Sequence, residues 1–256
     1  MALIQCQFFS ETLQLSTSMT VILPQQTYTQ IGMKNNLHSQ KHKTLYLLHG
    51  FSDDHSIWTR RTSIERYVAS TGIAVVMPAV DHSFYSNMEY GKKYWTFISE
   101  ELPQIARSFF PLSSHREDNF VAGLSMGGYG AFKLALNHPE KFCAAASLSG
   151  SVDIQTRVIR NDDQKFKLIF GDKDPTGTNA DLFALIAQQA HNKNRPLLYL
   201  GCGTEDFLYE DNVRFKQHCE QKEYPLHVHF GPGSHEWGYW DMMIQDVLKW
   251  LPIEKW

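Results

Sequence analysis

The chain has 256 residues, 24 of them Lys or Arg against 27 Asp or Glu, for a formal net charge of −3, and 43% are hydrophobic. That is the composition of an ordinary globular protein at a length near the limit of one hydrophobic core, so a single domain over residues 1–256 is expected. No basic block of the kind that neutralises phosphates is present, which excludes nucleic acid and anionic membrane surfaces as partners.

The N-terminal stretch MALIQCQFFSETLQL lacks a positive region and is broken by Gln5, Gln7 and Glu11. It does not read as a secretion signal, and a cytoplasmic location is the default expectation. No later segment has the run of apolar residues that spans a bilayer. From Phe8 to Leu23 apolar and polar residues alternate loosely, predicting one or two antiparallel strands, as a hairpin at a sheet edge. Gln25 to Lys43 is polar and reads as a surface loop. Thr44 to Leu48 is an apolar run suited to a strand covered on both faces, and it ends in His49, Gly50 and Phe51. Ser56 to Ser70 reads as a helix that Gly72 terminates.

Ile73 to Met77 is another buried strand. Asp81 to Lys93, rich in aromatic and polar residues, is expected to be a loop near the cleft, and Thr96 to Phe110 has the spacing of an amphipathic helix. Phe120 to Leu124 forms a strand, followed by a helix through Ala131, Leu134, Ala135 and Leu136 that Pro139 stops. Phe142 to Leu148 is a strand of small residues. Ser151 to Lys165 is polar, charged and without a clear period, so it is expected to form a cap or insertion over the site. Phe166 to Phe170 reads equally as a short strand or a helix fragment, and GDKDPTGT after it is a turn.

Asp181 to Ala190 is helical, Pro196 to Leu200 is a strand, Asn212 to Gln221 is helical, Leu226 to Phe230 is the last strand, and Tyr239 to Leu251 is the final helix. Strands alternate with helices, which predicts an α/β fold: a mostly parallel central sheet with helices on both faces and a small cap after the sixth strand.

Between the Phe120–Leu124 strand and its helix, Gly123, Ser125 and Gly127 make GxSxG. Side chains at the glycines would collide with the neighbouring strand and helix, and the tight backbone pushes the serine hydroxyl out at the carboxyl end of the sheet. There the helix dipole favours developing negative charge, so Ser125 is the candidate nucleophile. A serine hydroxyl needs a base to take its proton, and the base needs an acid to hold its tautomer. Twelve histidines are present, so topology must choose. His235 lies in a glycine-rich loop after the last strand, and Asp206 lies in the loop after the preceding one, giving the chain order serine, acid, histidine. Glu205, Asp172 and Asp174 remain alternatives for the acid; Asp174 would make the segment from Asp181 to Phe230 an insertion. Backbone N–H groups of Phe51 and Met126 are the candidate oxyanion donors. Trp95, Trp237 and Trp240 are candidates for the substrate pocket, with core packing the competing role.

Other patterns fail on inspection. His235-Glu236 begins like HExxH, but Tyr239 stands where the second histidine belongs, and Asp206 interrupts the GxGxxG begun by Gly201 and Gly203. His227 and His229 would share a strand face but lack a third ligand. Cys6, Cys143, Cys202 and Cys219 show no CxxC pairing and are expected to be reduced, mostly buried thiols.

With these residues placed, the chain resembles the esterase D branch of the α/β hydrolases, and most closely the small bacterial tributyrin esterases. The resemblance runs through LYLLHGF, YGKKYWTFISEELPQIARSFFP, GLSMGGYGAFKLALNHPEKF, GTEDFLYEDN and GSHEWGYWD, which together cover most of the chain. It implies an α/β-hydrolase fold and a serine carboxylesterase acting on short acyl chains, with Ser125, Asp206 and His235 as the triad. It implies no metal and no organic cofactor, a small-molecule ester as substrate, and homo-oligomers. S-formylglutathione hydrolase and acetyl or feruloyl sugar esterases share the branch, and a non-catalytic binding protein on the same fold is the reading from a different class.

Overall fold

The computed structural model describes residues 1–32, 41–160 and 164–253. Its strands are β1 (Ala2–Ser10), β2 (Leu15–Leu23), β3 (Thr44–Leu48), β4 (Ala74–Pro78), β5 (Asn119–Leu124), β6 (Ala144–Leu148), β7 (Leu197–Gly203) and β8 (Leu226–Gly231). They form one sheet in the order β1-β2-β4-β3-β5-β6-β7-β8. β1 and β2 make an antiparallel hairpin at one edge, β2 joins β4 antiparallel, and every other pairing is parallel. Every residue of β3, β4, β5 and β6 is buried, which is why these segments read as unbroken apolar or small-residue runs.

The helices are α1 (Ile57–Arg61), α2 (Ile64–Val68), α3 (Tyr94–Thr96), α4 (Leu102–Phe109), α5 (Met126–Asn137), α6 (Ile154–Arg160), α7 (Gln164–Phe170), α8 (Leu182–Gln189), α9 (Tyr209–Gln221) and α10 (Trp237–Trp250). One core holds Leu102 and Ala106 of α4, Phe132 of α5, Ile186 of α8 and Phe215 of α9. A second, on the opposite face of the sheet, holds Trp58 of α1, Val68 of α2 and Met243, Ile244 and Val247 of α10. The sheet is thus covered on both sides, as its apolar strands require. Among the described residues no helix is long and apolar enough to cross a membrane.

Three segments depart from expectation. The helix expected from Ser56 to Ser70 is two short ones, because Thr62 turns extended and its hydroxyl bonds both to Trp58 O at 2.6 Å and to Ile64 N–H at 3.1 Å, competing with the helical ladder. Tyr94 to Phe109 is helical throughout, starting two residues early and passing through a π-helical stretch at Phe97–Glu101. Ser151 to Lys165, expected to lack a period, begins α6 and enters α7; helices of seven residues are too short to display one. Asp153 starts α6 by accepting from Thr156 N–H at 3.1 Å. Phe166 to Phe170, open between strand and helix, is helical, burying Phe166 and Ile169 at i,i+3. Within the loop expected from Gln25 to Lys43, residues 33–40 lie outside the described residues.

Candidate active site

The chain leaves β3 for β4 on one side and returns to β5 on the other, so β3 and β5 flank the point where strand order reverses. In open α/β sheets the carboxyl ends of the strands beside such a reversal are where ligands bind. Ser125 stands there at φ 53°, ψ −118°, a left-handed conformation costly for a residue with a side chain. The close crossing of β3, β5 and α5 demands the flanking glycines: a Cβ at Gly127 would lie 2.5 Å from Leu48 O, and one at Gly123 would strike the Gly127 carbonyl.

His235 follows β8. Its Nε2 is 3.0 Å from Ser125 Oγ, and its Nδ1 is 2.8 Å and 3.1 Å from the two carboxylate oxygens of Asp206. Asp206 follows β7; its side chain is fully buried and accepts from Leu208 N–H at 2.8 Å. Burial alone would raise its pKa, but hydrogen bonds from His235, the Leu208 amide and the Ser149 hydroxyl outweigh it and hold the carboxyl below its usual range. The other acids face elsewhere. Glu205 is exposed and accepts from Gly233 N–H, tethering the histidine loop. Asp174 closes its own turn onto Thr176.

Phe51 and Met126 present backbone N–H groups that no described protein group accepts. Gly50 sits against the serine, its Cβ position 3.7 Å from Ser125 Cβ. The Gly50 carbonyl, in the same peptide plane as the Phe51 amide, accepts from His49 Nδ1 at 2.7 Å. A trans peptide aims C=O and N–H in opposite directions, so holding that oxygen aims the Phe51 N–H. His49 Nε2 accepts from Val80 N–H at 3.0 Å, which puts the ring proton on Nδ1. Burial pushes the His49 pKa down to about 4, so the ring is neutral.

The profile of the Esterase family, described as "Putative esterase", matches residues 10–251. The chain belongs to the esterase family. Two solved structures from Staphylococcus aureus are similar over 98% of both chains at 38% identity: fluorophosphonate-binding serine hydrolase F, with a TM-score of 0.87, and an S-formylglutathione hydrolase, with 0.84. An acetyl esterase of Caldicellulosiruptor saccharolyticus is 29% identical over 98% of each chain. This esterase is a carboxylic ester hydrolase on the α/β-hydrolase fold.

Of the three tryptophans singled out from sequence, Trp240 meets the edge of His235 with ring centroids 4.8 Å apart and donates from Nε1 to Ser149 Oγ at 3.1 Å. It is buried, so it braces the imidazole rather than facing a pocket. Trp237 packs on Trp240 and Trp58. Trp95 is not brought to the serine: at the start of the Tyr94–Phe109 helix, it stacks on His138 at the far end of α5 and lies over Lys133. The aromatic ring exposed beside His235 is instead that of Phe207, 71% exposed with its centroid 4.5 Å from that of His235, while Phe51 stacks on His82 at 4.2 Å.

Sequence reasoning missed His49, although its place between a buried strand and Gly50 was the available signal. It also missed Phe207, whose exposure no local pattern reveals. His227 lies on Tyr199, and among the described residues no group of three or more His, Cys, Asp or Glu is disposed to hold a metal ion.

Proposed function

We propose that the chain is a serine carboxylesterase for short acyl esters, organised as one domain over residues 1–256, in which Ser125, His235 and Asp206 act as a triad. His235 Nε2 takes the Ser125 proton as Oγ attacks the ester carbonyl, and the oxyanion is held by the Phe51 and Met126 N–H groups. Collapse expels the alcohol, which receives the proton from His235, and leaves an acyl-serine. Water then attacks the acyl carbonyl, again giving its proton to His235, and the acid departs as Ser125 is restored. Asp206 fixes the Nδ1–H tautomer and stabilises the imidazolium. The observation that carries this reading is the unbroken contact from Ser125 Oγ through the ring of His235 to the buried Asp206 carboxylate. One oxyanion donor in such a site is worth about 3 kcal/mol of barrier.

Preference for short acyl chains is supported by the acetyl esterase relative and by the Phe207 ring, whose centroid lies 4.5 Å from that of His235. A thioester reading is supported by the 38% identical neighbour named S-formylglutathione hydrolase, and a feruloyl reading by a ferulic acid esterase at 25% identity and a TM-score of 0.78. The proposal extends to cytoplasmic location and self-association, the latter checked by sedimentation.

Turnover of p-nitrophenyl acetate, butyrate and octanoate tests the chemistry. Ser125→Ala and His235→Gln are each expected to abolish it to within the roughly 10³-fold residual that binding and the oxyanion hole supply. Intact turnover in either variant contradicts the triad. Comparison of S-formylglutathione with acetylated and feruloylated sugars then orders the physiological readings.

A further inference from the structure

Lys133 is the one charged residue of the apolar helix α5, and only 2% of it is exposed. Its ammonium donates to Tyr85 O at 3.0 Å and Ser86 Oγ at 2.8 Å and lies 4.7 Å over the Trp95 ring; no described carboxylate pairs with it. Burying a cation without a counter-ion is costly, and burial pushes the ammonium pKa down to about 7. The contacts show what the cation holds. Phe84 and Tyr85 stand at φ 48° and 49°, consecutive left-handed residues that need outside support.

That conformation lays the Tyr85 ring against Gly130 of α5, where a Cβ would come 2.6 Å from ring Cγ, and delivers the Tyr85 hydroxyl to His49 O at 2.9 Å. The His49 carbonyl belongs to the peptide immediately before the one that carries the Phe51 N–H. A line of hydrogen bonds and covalent links therefore runs from Lys133 through Tyr85 to the back of the oxyanion loop. Lys133 lies eight residues along the helix from Ser125, about 12 Å, too far to touch the reacting atoms.

We propose that Lys133 and Tyr85 are positioning residues for the oxyanion donor: Lys133 locks the strained turn at Phe84–Tyr85, and the Tyr85 hydroxyl locks the strand end that aims the Phe51 N–H. The inference rests on the reading of Phe51 as a donor and of Ser125 as nucleophile. Two variants test it, Tyr85→Phe, which removes one oxygen, and Lys133→Met, which keeps the length of the stem.

Each is expected to lower kcat for p-nitrophenyl acetate on the order of 10-fold while KM stays within about two-fold, because the interaction is made only as the oxyanion forms. Inhibition by a trifluoromethyl ketone, which forms a tetrahedral oxyanion on the serine, is expected to weaken by the same factor. The double variant should be no worse than the poorer single one, since both act through one link. Unchanged kcat and ketone affinity in Tyr85→Phe overturn the proposal, and so does a loss of melting temperature with ketone affinity intact. If Lys133→Met does not fold, Tyr85→Phe decides alone. Ser125→Ala is measured beside them: activity there overturns the underlying reading, whereas an inactive Ser125→Ala with an unaffected Tyr85→Phe overturns only the positioning link.

Discussion

His49 and His235 put the same imidazole to opposite uses. His235 sits half-buried between a hydroxyl and a carboxylate, free to exchange a proton with the first while oriented by the second. His49 is sealed in the interior and kept neutral, donating to Gly50 O and accepting from Val80 N–H. Its folded pKa of about 4 lies below the ordinary 6.5, so the stability it contributes is complete above pH 6.5 and is lost as pH falls toward 4, where the unfolded chain binds a proton that the folded one refuses. The full span corresponds to about 3 kcal/mol. Urea unfolding at pH 7 and at pH 4.5 should show a smaller acid loss in His49→Asn than in the parent; equal losses would assign the pH dependence to other groups. The depressed carboxyls of Asp206 and Asp153 act lower, their contribution vanishing only as pH drops below the ordinary 3.8.

The role proposed for Asp206 is tested on the same scale. Asp206→Asn should lower kcat by roughly 10³–10⁴-fold, because an amide oriented by Leu208 N–H offers the wrong partner to Nδ1–H. Asp174→Asn, in an exposed turn closed on Thr176, should stay within about two-fold of the parent. The reverse ranking in steady-state kinetics would move the acid out of the β7 loop.

At the scale of elements, the β5–α5 turn is held by backbone packing. A methyl at Gly127 would meet Leu48 O at 2.5 Å and His49 O at 2.7 Å, and neither atom can yield without shifting the end of β3. Gly127→Ala is expected to cost about 3 kcal/mol in denaturant unfolding. Gly231→Ala, whose nearest new neighbour would be 3.6 Å away, should cost under about 1 kcal/mol; similar losses in both would show that the crossing is looser than the distances say. Such elements were legible from sequence because one requirement dominates each. Thr44 to Leu48 and Phe120 to Leu124 must be apolar on both faces, and the crossing must lack side chains. The α1–α2 break and the α6–α7 pair were not, since a Thr62 hydroxyl and an Asp153 carboxylate decide them one hydrogen bond at a time. Trp95, a pocket candidate with core packing as the competing role, takes the packing role on His138 and Lys133, because sequence alone does not say which end of α5 its helix reaches.

At the scale of the molecule, the parallel sheet gathers the carboxyl ends of β3, β5, β7 and β8 on one rim, so residues 51, 125, 206 and 235 converge although they span most of the chain. Chain order along that rim was readable from the alternation of strands and helices, which is why Ser125, Asp206 and His235 could be put forward together from the sequence. The support behind the rim was not readable. Lys133 and Tyr85 lie 48 residues apart and meet only because α5 packs against the turn after β4. Neither has a local signature beyond a lone cation in an apolar helix.

If these loops assemble a working nucleophile, a fluorophosphonate will label it covalently, and peptide mass spectrometry will locate the adduct. One adduct is expected, on the peptide carrying Ser125, formed rapidly in the parent and slowed by orders of magnitude in His235→Gln. No adduct at Ser125, or labelling undiminished by loss of His235, would contradict it.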